Sequence, residues 1–78
     1  MSIEITARER DLLLSHPETK EIARQLITGD SVLIGTASQY NEMRDACSDL
    51  LQRIGFDENY APTKEGVVLE RLIDELLV

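Results

Sequence analysis

His16 and Cys47 are each the single residue of their type in a 78-residue chain, and they are its first candidates for a base and a nucleophile. A catalytic histidine needs an orienting carboxylate and a reacting group within hydrogen-bond reach. His16 stands instead between Ser15 and Pro17, in the first turn of an expected helix, where the helix dipole disfavours an imidazolium. It reads as a structural surface residue. Cys47 falls mid-helix on a stripe with Met43, Leu50 and Leu51. Apolar burial there raises a thiol pKa and makes it inert, so Cys47 reads as a small core residue. A single cysteine allows neither an internal disulfide nor a cysteine zinc site within one chain, which fits a reducing compartment.

Carboxylates are the commonest reactive groups. Glu42, Asp45 and Asp49 fall on one side of an expected third helix, and Glu70 and Asp74 repeat the four-residue spacing on the last one. Facing helices bearing such pairs can hold a hard cation. The di-metal bundle pattern also asks for a Glu followed three residues later by His, and His16 lies on a different helix. Arg53 follows Asp49 by four residues and Arg71 precedes Glu75 by four, the spacing of ordinary surface ion pairs. In the Asp57-Glu58-Asn59 cluster, Pro62 occupies the place where a calcium loop needs glycine. Gly29, Gly35, Gly55 and Gly66 are isolated, and none precedes a Lys-Ser/Thr pair as in a phosphate-binding loop. No catalytic residue, metal ligand or cofactor is assigned, and the chain is expected not to be an enzyme.

The elements that would carry these residues are legible from caps and periodicity. Thr6-Ala7-Arg8-Glu9 is a capping box opening a helix to about Leu14. Ser15-His16-Pro17-Glu18 repeats the device, with Ser15 as the cap of a second helix that carries Ile22, Ala23, Leu26 and Ile27 and stops at Gly29. Residues 30–38 contain the apolar run Val32-Leu33-Ile34. With no second such run to pair with, this stretch is expected to be an extended loop with buried side chains. A third helix from Thr36 or Ser38 to about Arg53 carries Tyr40, Met43, Cys47, Leu50 and Leu51 at three-and-four spacing. Gly55 should end it in the left-handed conformation, with Phe56 folding back onto the last turn. Thr63 caps a fourth helix bearing Val68, Leu69, Leu72, Ile73, Leu76 and Leu77. The expected fold is all-α: a single domain over residues 1–78, a compact bundle of about four short helices with one extended apolar loop.

Net charge is −7, with −2 over residues 1–30 and −5 over residues 31–78. Nucleic acids and anionic membrane surfaces are therefore disfavoured as partners. Apolar runs are about three residues long, against the roughly 18 needed to span a bilayer. The start, Met1-Ser2-Ile3-Glu4-Ile5-Thr6, lacks the basic and apolar regions of a signal peptide. The expected location is the cytoplasm.

Tyr60-Ala61-Pro62-Thr63-Lys64-Glu65-Gly66, followed by an apolar helix, resembles the passage from wing to final helix in winged-helix regulators. The likeness spans seven residues, and Pro62 stands where that family has an apolar strand residue. It implies, as an alternative, a DNA-binding transcriptional regulator with a degenerate winged-helix-like segment. Arg8, Arg10, Lys20 and Arg24 would then have to converge on one face. No functional residue is carried over from the likeness.

The last helix has more apolar positions than one inward stripe requires: Val67, Val68, Leu77 and Val78 fall on its flank or outer side. Wide apolar faces on a short chain mark core or an association surface. The leading expectation is a small acidic protein–protein interaction module without catalytic activity. Its partner would be a protein with a basic patch, or a second copy in a homodimer. The expected partner surface comprises Glu42, Asp45, Asp49, Val68, Glu70, Asp74 and Leu77.

Overall fold

The structure is a computed structural model that describes residues 2–77. Among these residues are four helices and three short strands: β1 (Ser2–Glu4), α1 (Ala7–Ser15), α2 (Pro17–Leu26), β2 (Ile27–Thr28), β3 (Val32–Ile34), α3 (Ala37–Ile54) and α4 (Lys64–Glu75). The chain is mostly helical, as its periodicity requires, but it is not all-α. The run Val32-Leu33-Ile34 is the central strand of an antiparallel sheet ordered β1-β3-β2. Its partners are Ser2-Ile3-Glu4 at the start of the chain and Ile27-Thr28 at the end of the second helical pattern.

Local rules account for most element ends. The Thr6 hydroxyl accepts the Glu9 amide at 3.1 Å, and Glu9 Oε1 accepts the Thr6 amide at 2.9 Å, closing the expected capping box. Thr36 and Gln39 build a second box at the start of α3. The Thr63 hydroxyl accepts the Gly66 amide and donates to Ile54 O at 2.8 Å, so one side chain caps α4 and ties it to the end of α3.

Three ends differ from expectation. Ser15 is the last residue of α1 rather than a cap, and its hydroxyl donates back to Asp11 O. His16 takes the N-cap position of α2 without a side-chain cap bond, and Pro17 follows at the first helical position. The second helix ends at Leu26, because Ile27 and Thr28 leave it to pair with Leu33 and Val32. A three-residue turn joins β2 to β3, and Gly29 enters it at φ 65°, a left-handed conformation natural for glycine in such a turn. Gly55 is not left-handed; its φ is −76°. The reason for glycine there is proximity, since a Cβ at Gly55 would strike Leu51 and a Cβ at Gly66 would strike the Gly55 backbone. Phe56 does not bury itself on α3; it is 42 % exposed.

The core runs between sheet and helices. Leu13, Leu26, Leu33, Leu50, Leu69 and Leu72 have no exposed surface, and each such leucine stabilises the fold by roughly 1.5–3 kcal/mol relative to leaving it in water. Tyr40 is equally buried and donates its hydroxyl to Leu33 O at 2.9 Å, joining α3 to β3. Thr19 is buried as well, its hydroxyl donating to Leu13 O at 2.6 Å across the α1–α2 corner. No described helix is long and apolar enough to cross a membrane.

An acidic face with apolar ends and a cleft of mixed charge

The two side chains that opened the chemical question are held in structural settings. His16 is half-buried, and its Nδ1 lies 3.0 Å from Leu12 O. A carbonyl only accepts, so Nδ1 carries the proton in that bond. Cys47 is fully buried in α3, and burial pushes its pKa up to about 12. A thiol so placed is neither accessible nor ionised at neutral pH.

The carboxylates of the expected surface all face solvent. Glu42, Asp45 and Asp49 are exposed on α3, opposite the buried Met43, Cys47 and Leu50 at about 100° of turn per residue. Glu70 and Asp74 are exposed on α4, and Leu77, just beyond it, is 61 % exposed. None of these five carboxylates forms an ion pair or side-chain hydrogen bond among the described residues. Glu70 and Asp74 share a face of α4; Val68 does not join them. It is half-buried against the core on the flank of α4 that faces α1. The exposed apolar position on the outer side is Val67, at 58 %. Val67, Glu70 and Asp74 follow one another at intervals of three and four, which lines them along one stripe of α4, and Leu77 stands two residues past the end of that helix. Val78, expected to add to this surface, lies outside the described residues.

Pairing among the other charges differs in one instance from the spacing rule. Arg71 Nε does meet Glu75 Oε1, at 3.4 Å. Arg53 turns away from Asp49 and forms a two-pronged contact with Glu18 of α2, its Nη2 donating to Glu18 Oε1 at 3.0 Å. The hydrogen bonds from Arg53 hold the Glu18 carboxyl below its ordinary range. Planar guanidinium–carboxylate geometry favours this long-range pair over a monodentate contact along one helix.

A second region had no signature in the sequence. A cleft of about 550 Å³ opens between the start of α1 and α4, lined by Thr6, Arg8, Glu9, Val67, Val68 and Arg71. A smaller cavity of about 130 Å³ adjoins it, sharing Arg8 and Val68 and adding Leu12, Lys64 and Glu65. Arg8, Lys64 and Arg71 thus share this flank of α4 with the carboxylates of Glu9 and Glu65. Arg8 and Lys64 have no ion pair among the described residues. Glu9 is 96 % buried: its Oε1 serves the capping box, while its Oε2 has no hydrogen-bond partner among the described residues. No grouping of three or more His, Cys, Asp or Glu suited to a metal ion occurs among the described residues.

No family model matches the chain, and comparison with curated proteins and with solved structures produced no match.

Proposed function

We propose that this protein is a small, non-catalytic protein–protein interaction module that docks through the outer side of α4. The observation that carries the reading is the stripe Val67-Glu70-Asp74 with Leu77 just past the helix end, in which two well-exposed apolar side chains bracket two unpaired carboxylates along the chain. Apolar anchors contribute most of the energy of a contact of this kind, and charges select the partner and its register. The matching surface has apolar recesses at its ends and basic side chains between them. Self-pairing about the middle of the stripe would bring Glu70 and Asp74 against their own copies, and like charges placed so are repulsive. A basic partner is therefore favoured over a homodimer at low ionic strength.

Molar mass by light scattering over a hundredfold concentration range comes first, followed by titration of the 15N-labelled protein with a helical peptide bearing leucines that flank two lysines. The expected result is a monomer in which the peptide saturably shifts the amides of residues 67–77, with binding lost in Leu77→Glu. A dimer dispersed by Leu77→Glu would keep the docking face and make its partner a second copy. A monomer whose peptide binding is absent, or unchanged by Leu77→Glu, overturns the reading.

A further inference from the structure

We infer that the cleft between α1 and α4 is a binding site for a small zwitterion, specifically an α-amino acid with an apolar side chain. The inference is independent of the docking stripe, although Val67 borders both. Its volume lies within the range of small-molecule sites, roughly 300–1,000 Å³. The decisive feature is that neighbouring residues of α1 place opposite demands on the ligand. Arg8 offers a guanidinium without an ion pair among the described residues, and a guanidinium matches a carboxylate with two parallel hydrogen bonds. Glu9 presents a carboxylate whose Oε2 is buried and lacks a donor, and an unmet buried acceptor is costly until a donor reaches it.

A simple anion would satisfy Arg8 and be repelled by Glu9, whereas a simple cation would satisfy Glu9 and be repelled by Arg8 and Arg71. A neutral apolar molecule would leave both unmet. A ligand bearing a carboxylate and an ammonium on one carbon satisfies both, with its side chain against Val67 and Val68. Arg71 is free to assist, because its contact with Glu75 is exposed and exposed ion pairs contribute little.

The test is a titration of the 15N-labelled protein with L-phenylalanine, with 3-phenylpropionate and 2-phenylethylamine as arms that each lack one charge. Saturable shifts are expected at Thr6, Arg8, Val67, Val68 and Arg71 with phenylalanine, and binding weaker by about tenfold or more with either truncated probe. Glu9→Gln should weaken phenylalanine binding by a similar factor, because an amide N–H₂ would then face the ammonium. The substitution keeps the fold, since Gln39 already completes the equivalent capping box at the start of α3. Arg8→Gln, at an exposed position, should act likewise from the carboxylate side. The proposal is overturned by an absence of saturable shifts up to about 20 mM. It is equally overturned if 3-phenylpropionate binds as well as phenylalanine, or if both variants bind phenylalanine like the parent.

Discussion

Replacing Gly66 with alanine sets two ordinary rules against each other, and the structure decides between them. By helix propensity alone, alanine at an interior helical position gains up to about 1 kcal/mol over glycine. Here the added Cβ would lie 2.9 Å and 3.0 Å from the carbonyl carbon and Cα of Gly55, and well inside contact distance of its oxygen. Carbon atoms pack best at about 3.5–4.0 Å, so α4 must retreat from α3 by about half an ångström or more. No rotamer can relieve the clash, because every atom struck is backbone. The retreat also loosens the bonds that fasten the two helices: Thr63 N–H to Gly55 O at 2.9 Å and the Thr63 hydroxyl to Ile54 O at 2.8 Å. Overpacking costs about 1–3 kcal/mol and each weakened hydrogen bond about 1 kcal/mol, which leaves a net loss of about 2–4 kcal/mol after the propensity gain. A chain of this length has a total stability of roughly 4–12 kcal/mol, so urea denaturation followed by circular dichroism will resolve the loss, with the slope of the transition expected to stay constant. Gly29→Ala is the control. It meets nothing within 4 Å and should lose only the cost of its positive φ, about 1–2 kcal/mol. If Gly66→Ala proves as stable as the parent, the close approach of α3 and α4 is wrong.

Tyr60 holds φ at 61° and is 86 % exposed, so Tyr60→Gly should relieve strain, lose little packing and stabilise by about 0.5–1 kcal/mol; a lowered melting temperature would contradict this. Cys47 should resist alkylation by iodoacetamide in the folded protein and react at once in urea, because its thiol is buried with a pKa pushed up to about 12. The unfolded thiol ionises from about pH 8.5. Stability due to this group is therefore complete below that pH and falls above it by up to about 1.4 kcal/mol per pH unit, a loss that should be absent in Cys47→Ala. Glu18 has the opposite sign: its folded pKa is depressed by Arg53, so its contribution is complete above the ordinary carboxylate range and lost as pH falls through that range. Comparing the parent with Arg53→Met between neutral and acidic pH should show this dependence in the parent only.

What the sequence disclosed and what it concealed separate by distance along the chain. The capping box at Thr6 and the cap at Thr63 involve partners three residues apart, so residue types at fixed spacing disclosed them; the same spacing misplaced a cap at Ser15 and left the box of Thr36 and Gln39 unread. The core stripe of α3 was legible for the same reason, because helical periodicity repeats every few residues. The sheet was not. Its outer strands have three and two residues, too short for alternation to register, and β2 continues directly from the apolar face of α2. Glycine at position 55 signalled the end of α3 correctly but not through a left-handed turn, since a Cβ there would strike Leu51 one turn back; what no local pattern showed is the glycine at 66, required by the Gly55 backbone eleven residues earlier. Arg53 preferred Glu18, 35 residues away, over the Asp49 that spacing favoured. The α1–α4 cleft assembles Arg8 and Glu9 with Val67 and Arg71, and no local pattern links residues that far apart.

Net charge misleads most at that cleft. A total of −7 argues for a basic partner only where recognition samples the surface as a whole, as in long-range steering. Contacts are decided locally, within a Debye length of about 8 Å at physiological ionic strength. Helix α4 carries Glu70 and Asp74 on its outer stripe, while Lys64, Glu65 and Arg71 line the α1 flank with Arg8 and Glu9. One helix thus presents an acidic surface with apolar ends and, beyond Val67, a part-apolar recess lined by charges of both signs. The acidic composition weighs against nucleic acid and anionic membranes because those partners engage many charges together. It does not weigh against a single small carboxylate held beside Arg8, whose guanidinium has no ion pair among the described residues, while Glu9 in the same cleft calls for the ligand's ammonium.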